Sequence, residues 1–253
     1  MKAVILAAGK GTRMRELTQS VPKPMLLVQG KPILQHIIEG LISATITEIC
    51  IITGFQAETI ENFFTNGEKF GAQITYARQF VQDGTGKAPE LARGFVGSSD
   101  FLLTYGDILV KPETYAQMTK RFGEGAFSGL ITVTKGEDVT KGGLNFFDDQ
   151  FCLQRVVEKP NQAQIAEYKA KGWLREGSPI WYNAGIYIFK PVVFDFTANL
   201  QKSPRGEYEL PDAINAMVEN GRKIAGLEIV GRWVDVRDPE VLGSLEQGLD
   251  PAS

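Results

Sequence analysis

Through the first 110 residues of this 253-residue chain, short unbroken apolar runs alternate with stretches whose apolar residues recur at three- and four-residue spacing. The unbroken runs are "AVILAA", "EICIIT", "AQITYA" and "FLLTYGD". Each has the length of a strand buried on both faces, which needs no polar alternation. Between them, "KPILQHIIEGLISA", "AETIENFF" and "APELARGFV" each carry one apolar face and predict helices. The alternation predicts a parallel sheet with helices on both faces, because parallel neighbours need a crossover that buries its apolar side on the sheet.

Beyond residue 110 the pattern changes. "GLITVT", "LNFFD", "FCLQRVV" and "NAGIYIF" read as strands with fewer helices between them, so a smaller, mixed or antiparallel extension is expected. A helical insertion, "QAQIAEYKAKGWL", separates two of these strands. The chain closes with the helix "LPDAINAMVENG", the strand "KIAGLEIV" and a last helix in "DPEVLGSLEQGL". No repeat, low-complexity tract or linker rich in Pro, Gly or Ser divides it. The expectation is a single domain over 1–253, with halves 1–110 and 111–235 and a C-terminal helix within 236–253.

Composition adds exclusions. Hydrophobic residues at 43% and charged residues at 23% are an ordinary globular mix, and a net charge of −3 excludes a generally basic protein built to cover nucleic acid. No apolar run reaches the length of a membrane span or a signal peptide, so a cytoplasmic protein with no membrane partner is expected. Cys50 and Cys152 lie in apolar runs without metal-ligand spacing and read as core thiols. His36 sits among residues of helical spacing and reads as a packed helix residue, not a catalytic one.

Positive charge that matters must then be local, and it gathers in "GKGTRMRELTQSVPKP", directly after the first strand. Ligands of open α/β sheets bind at the carboxyl ends of the strands. Gly9 and Gly11 let the backbone approach an anion, Thr12 adds a hydroxyl, and Arg13 offers a planar fork of donors matched to phosphate. Pro22 and Pro24 flank Lys23, fixing the backbone and favouring extended conformations at Val21 and Lys23. Two better-known glycine motifs fail. Met14 stands where a dinucleotide fingerprint needs glycine, and Val4 and Gly11 stand where a P-loop needs glycine and a hydroxyl residue.

G-x-G-T-R at 9–13 followed by P-K-P at 22–24 resembles the signature of the sugar-phosphate nucleotidylyltransferases, which make nucleotide sugars from a nucleoside triphosphate and a sugar 1-phosphate. The resemblance runs from Met1 to about Leu245 and implies a Rossmann-like α/β fold: a mixed sheet of mostly parallel strands with helices on both faces, and a smaller antiparallel sugar-binding extension. It sets the backbone of Leu6, Ala8 and Gly9 near base and ribose, Gly11, Thr12 and Arg13 on the triphosphate, and Lys23 at the reacting phosphates. In "QDGTGKA", Gln82, Gly84 and Thr85 match positions against a pyrimidine edge, which an amide can pair with through its donor and acceptor. Lys87 departs from the family's histidine, and Pro89 interrupts the usual helix start.

Asp107 follows a buried strand and a glycine, so its carboxylate emerges at the strand's carboxyl end, where the resemblance implies a Mg²⁺ ligand. "GRWVDVRDPEVL" resembles the family's W-x-D segment and implies Asp235 as the partner ligand, while Asp238 and Pro239 read as the N-cap and first residue of the last helix. For the sugar, the match implies Glu158 and Asn183 on hydroxyls, Lys159 near the sugar phosphate, and Gly143 where the backbone approaches, with Gly142 as its competitor. Singly, the Glu-Lys-Pro turn and the Asn of "YNAGIYIF" read equally well as a strand end and a strand cap.

The implied catalytic set is Arg13, Lys23 and Asp107, the cofactor Mg²⁺, and the partners a nucleoside triphosphate and a sugar 1-phosphate. "GTGKA" resembles the uridylyl or thymidylyl branch, whereas "PKPMLLVQGKPILQHI" resembles cytidylyltransferases for glucose 1-phosphate. A guanylyltransferase or an enzyme with a phosphocholine-like acceptor stays open. So does a catalytically silent nucleotide-sugar sensor, although Arg13, Lys23 and both carboxylates are kept. A glycosyltransferase lacks its Asp-x-Asp after "LLTYG". The 161–180 insertion fits either a lid over the sugar or a contact between copies in a homo-oligomer.

Overall fold

The structure is a computed structural model describing residues 1–247. It opens with β1 (Lys2–Ala7), a 3-10 segment (Thr12–Thr18) and a 3-10 turn (Lys23–Met25). The small hairpin β2 (Leu27–Val28) and β3 (Lys31–Pro32) leads into α1 (Ile33–Ser43), β4 (Glu48–Thr53), α2 (Ala57–Phe64) and β5 (Gln73–Arg78). A 3-10 segment (Ala88–Ala92) runs into α3 (Arg93–Val96), β6 (Phe101–Tyr105), β7 (Ile108–Val110) and α4 (Glu113–Gly123). There follow β8 (Gly129–Thr134), β9 (Gly143–Phe147), β10 (Leu153–Glu158), α5 (Gln162–Ala170) and β11 (Trp181–Phe189). The remainder is α6 (Val193–Thr197), α7 (Leu210–Glu219), β12 (Ile224–Glu228), β13 (Trp233–Asp235) and α8 (Pro239–Glu246).

Nine strands form one sheet in the order β10-β9-β11-β6-β1-β4-β5, with β8 against β11 and β12 against β8. β6, β1, β4 and β5 are mutually parallel. Both faces are covered, and alternate β1 residues show it: Ala3, Ile5 and Ala7 join one core cluster, while Val4 joins the other, with Leu6 packed against it. α1, α2 and α4 pack on the first face. α3, α6 and α7 pack on the second.

The sheet is extended on the far side of β6 by antiparallel pairing. β11 pairs with β6, β8 and β9, and its register shifts between Asn183 and Tyr187. Gly185 makes the shift at φ 75°, and a Cβ there would lie 2.5 Å from Ile108 Cδ1. Strand order reverses at β1: β4 and β5 lie to one side of it, β6 to the other. The crevice of such a sheet opens at the carboxyl ends of the two strands flanking the reversal, here β1 and β6.

Several expectations change. "APELARGFV" forms a 3-10 segment and a single α turn, since Pro89 near the start removes a donor and Gly94 weakens the turn that follows. Lys23 is not extended but opens a 3-10 turn closed by Met25 N–H on Pro22 O (2.8 Å) and Leu26 N–H on Lys23 O (3.1 Å). Cys50 is buried, whereas Cys152 sits half-buried at an isolated bridge to Ala225, outside the strand proper. The last helix spans Pro239–Glu246, capped by Asp238 on the N–H groups of Glu240 and Val241; 248–253, included in the expected C-terminal helix segment, lie outside the described residues.

Candidate active site

The loop after β1 is held open by bonds made elsewhere. Leu6 O accepts from Gly106 N–H (2.8 Å), and Ala8 O accepts from Phe55 N–H (3.2 Å) and from Gln82 Nε2 (2.6 Å). Gly11 takes φ 61°, and its missing Cβ would lie 3.0 Å from Lys23 Cβ, so this glycine lets the two basic segments pack together. Its carbonyl starts the 3-10 segment by accepting from Met14 N–H (2.8 Å) and Thr18 Oγ1 (3.0 Å). Gly9 has nothing within 4 Å of a built Cβ, and Thr12 and Arg13 are exposed.

Lys23 reaches from this loop to two carboxylates. Nζ lies 2.5 Å from Asp107 Oδ2 and 3.9 Å from Asp235 Oδ1. A short ladder brings the carboxylates together: β13 pairs with β7, Asp235 opposite Ile108, and Val236 N–H donates to Asp107 O at 3.0 Å. Burial, and next the charge of Asp107, push the Asp235 carboxyl up to about 6, against the pull of Lys23, Arg237 and Arg13. Two converging carboxylates are the hard-oxygen donors that Mg²⁺ takes when phosphates and water complete its shell. No cluster of three or more His, Cys, Asp or Glu suited to a metal occurs among the described residues.

Two cavities meet at Asp107. The first, about 450 Å³, is lined by Leu6, Ala8, Gly9, Gly11, Thr12, Arg13, Gln82, Gly84 and Thr85, together with Lys23. Every residue expected on the nucleotide is therefore in one cavity. The second, about 220 Å³, is lined by Gly143, Glu158, Lys159, Asn183 and Asp235. Arg13, Thr85, Tyr105, Asp107 and Glu207 line both, so the cavities join there.

In the second cavity each side chain also has structural work. Asn183 Oδ1 accepts from Gly185 N–H (3.1 Å) in the β11 bulge, and its Nδ2 meets Tyr187 Oη at 2.9 Å. A Cβ on Gly143 would lie 2.8 Å from Asn183 Cβ, and one on Gly142 would collide with Tyr182. Both glycines are needed for β9 to approach β11. Lys159 sits at φ 44°, its N–H on Gly142 O at 2.6 Å, which turns the chain at the end of β10. Burial raises the Glu158 carboxyl above the ordinary range and Glu209 adds to it, while Lys159 (3.9 Å) and Arg205 (3.5 Å) pull it down.

Sequence reasoning missed the loop "SPRGEYELP". It brings Arg205, Glu207 and Glu209 into the second cavity, Arg205 on Glu209 at 2.7 Å and Glu207 at the junction. Three charges at alternate positions ahead of the Leu-Pro start of α7 were the available signal. Tyr105 and Arg237 also went unread; Arg237 lines the first cavity and bonds Glu137 at 2.9 Å. The 161–180 insertion lines neither cavity, and its Tyr168 and Trp173 pack on Phe146 of β9. His36 is a half-buried helix residue, Nε2 2.8 Å from Val28 O. No helix among the described residues is long and apolar enough to cross a membrane.

A family model described as nucleotidyl transferase matches residues 2–247. The chain is 34% identical over 241 residues to the low-salt glycan biosynthesis nucleotidyltransferase Agl11 of Haloferax volcanii, covering 95% of this chain and 63% of that one. It is 34% identical over 239 residues to the bifunctional protein GlmU of Methanococcus maripaludis, of which it spans 52%. Against the UTP–glucose-1-phosphate uridylyltransferase AglF of Haloferax volcanii the identity is 31% over 252 residues, 98% of this chain and 96% of that one. Among solved structures, a putative glucose-1-phosphate thymidylyltransferase from Bacillus anthracis in complex with sucrose superposes with TM-score 0.83 at 25% identity, covering 99% of this chain and 96% of that one.

Proposed function

The chain belongs to the nucleotidyl transferase family, and from that premise we propose that it joins a nucleoside triphosphate to a sugar 1-phosphate, releasing pyrophosphate. The observation that carries this reading is the meeting of Lys23, Asp107 and Asp235 where a cavity rich in glycine and arginine joins one lined by Glu158, Lys159 and Asn183. One unit spanning the described chain suffices in this reading, since the two cavities share part of their lining.

An ionised oxygen of the sugar phosphate attacks the α-phosphorus in line; the new O–P bond forms as the bond to the β-phosphate oxygen breaks. The attacking oxygen carries its charge already at neutral pH, so no protein base is required, and catalysis consists of positioning and charge stabilisation. Arg13 donates to the leaving pyrophosphate, and Lys23 stands between attacking and attacked phosphates. Asp107 and Asp235 would hold Mg²⁺, which when bound would offset phosphate charge. Glu158 and Asn183 orient the sugar hydroxyls, and Lys159 its phosphate.

The base is uracil or thymine in this reading. Gln82 already donates through Nε2 to Ala8 O, so its Oε1 is the atom left to accept from a base. Uracil and thymine present an N3–H donor to such an acceptor; cytosine presents a lone pair there. The full-length similarity to AglF favours UTP and glucose 1-phosphate as the first pair to assay.

The test is pyrophosphate release with Mg²⁺, using UTP, dTTP, CTP, GTP and ATP against a panel of sugar 1-phosphates. Release with UTP or dTTP and one sugar phosphate is expected. Folded protein that binds nucleotide but releases no pyrophosphate with any pair would turn the reading toward a non-sugar phosphate acceptor or a sensor.

A further inference from the structure

Two segments, one lining chiefly the first cavity through Gln82, Gly84 and Thr85 and the other chiefly the second through Arg205, Glu207 and Glu209, are bonded to each other. Tyr208 N–H donates to Asp83 O at 2.7 Å, and Gly86 N–H donates back to Tyr208 O at 2.8 Å. Leu210 N–H donates to the Thr85 hydroxyl at 3.3 Å. Gly84 lies at φ 117°, and a Cβ on it would stand 2.3 Å from Tyr208 O, so no side chain fits between the two backbones.

Lys87 closes the first segment and lines neither cavity. Its ammonium donates to Thr197 O (2.7 Å) and Ala198 O (3.0 Å) at the end of α6, lies 3.3 Å from Glu90, and sits 5.4 Å from the Tyr208 ring centroid. A cation on the last carbonyls of a helix is favoured by charge-assisted bonding, and one over an aromatic face by the ring quadrupole. The lysine thus ties the segment carrying Thr85 to both ends of the connection between α6 and α7, the connection that carries Arg205 and Glu207.

We propose that Lys87 is a positioning residue that fastens the nucleotide-facing loop Gln82–Lys87 to the sugar-phosphate-facing loop Ser203–Glu209, so that the two substrates bind with positive coupling. The inference rests on the assignment of the two cavities made above. A nucleotide that orders Gln82 and Thr85 also orders Arg205 and Glu207, and the second ligand then has less conformational freedom to remove. The effect is reciprocal: sugar phosphate tightens nucleotide by the same factor.

The experiment is calorimetric titration of glucose 1-phosphate in Mg²⁺, with and without a saturating α,β-methylene analogue of UTP or dTTP. For the unaltered protein the analogue is expected to tighten glucose 1-phosphate about tenfold, within the usual range of coupling between sites. Lys87→Met brings that ratio near one and Lys87→Arg restores it. A merely structural role for Lys87 weakens both ligands and leaves the ratio intact; that result overturns the proposal, as does a ratio of one in the unaltered protein. If Lys87→Met does not fold, Tyr208→Leu keeps the backbone bonds, removes the ring beneath the ammonium, and is held to the same ratio. Unaltered protein that fails to bind both probes overturns the cavity assignment itself, and is distinguishable because coupling is read only where both bind.

Discussion

The ammonium of Lys23 donates to the carboxylate of Asp107 at 2.5 Å, joining the loop after β1 to the end of β6 across 84 positions of sequence. The pair sits at the point where strand order reverses, so it lies where an α/β sheet presents its ligand. Side-chain exposures of 12% and 29% leave it open to a substrate from either cavity. Such a pair stabilises a fold only modestly, and its placement matters more for what it holds.

Asp107→Ala is therefore expected to lower turnover by ~10²-fold or more, and Arg13→Ala likewise, on the scale of lost charge stabilisation. Both variants keep the native circular dichroism spectrum. Pyrophosphate release at saturating substrate checks this, and normal rates in either folded variant would remove it from the catalytic set.

Asp235 links the site to pH. Its carboxyl titrates at about 6 in the folded chain, raised from 3.8 first by burial and then by Asp107. The folded state binds the extra proton, so ionisation of Asp235 weakens the fold as pH rises from 3.8 through 6, and the cost is constant above that. Asp235→Asn is expected to raise the melting temperature at pH 8, with a gain that shrinks toward pH 4, while abolishing Mg²⁺-dependent turnover. In the unaltered protein, Mg²⁺ affinity falls below pH 6 by up to about tenfold per unit from this one group. Melting curves and Mg²⁺ titrations at several pH values test both halves.

The parts of the site read from sequence are those whose signal is local. The glycine loop follows an unbroken apolar strand, and Asp107 follows another, so their meeting at the carboxyl ends of neighbouring strands is legible from periodicity and the rule for parallel strands. Assigning Asp235 needed the resemblance, because its position depends on the pairing of β13 with β7, which no periodicity announces in strands of three residues. Arg205 and Glu207 lie in a loop positioned by bonds of its Tyr208 to Asp83 and of Leu210 to Thr85 and by the pairing of Arg205 with Glu158, all distant in sequence. Lys23, expected to be extended, instead opens a turn, since the preference of a residue before proline yields to two turn bonds.

The two loop glycines separate fold from function. Gly11 stands at φ 61° against Lys23, so Gly11→Ala is expected to cost about 1 kcal/mol or more of stability and to shift Lys23. Gly9 has open space where a Cβ would go, so Gly9→Ala leaves the melting temperature within about a degree while weakening nucleotide binding, a methyl standing where the ligand's oxygens approach. Thermal melts beside nucleotide titrations decide it. Unchanged nucleotide affinity in Gly9→Ala would remove the backbone of this loop from the binding surface.

In the proposed reaction, base choice is expected to fall on one amide. Gln82 Nε2 is engaged by Ala8 O at 2.6 Å, and that bond orients the side chain before any ligand arrives. An oriented acceptor discriminates because the wrong base, once seated over it, sets a lone pair against its lone pair, a penalty of about 1–3 kcal/mol. Gln82→Leu removes both the anchor and the acceptor, and is expected to bring kcat/KM for UTP down by roughly tenfold to a hundredfold while leaving that for CTP within a few-fold, on the same scale. Gln82→Glu keeps the shape and replaces the donor on Ala8 O by a carboxylate oxygen, so the side chain must leave its anchor; UTP is then expected to lose more than CTP, and the ratio between them falls. Ratios of kcat/KM across the two bases measure this, and a ratio unchanged in Gln82→Leu would move base recognition to the neighbouring Gly84–Thr85 backbone.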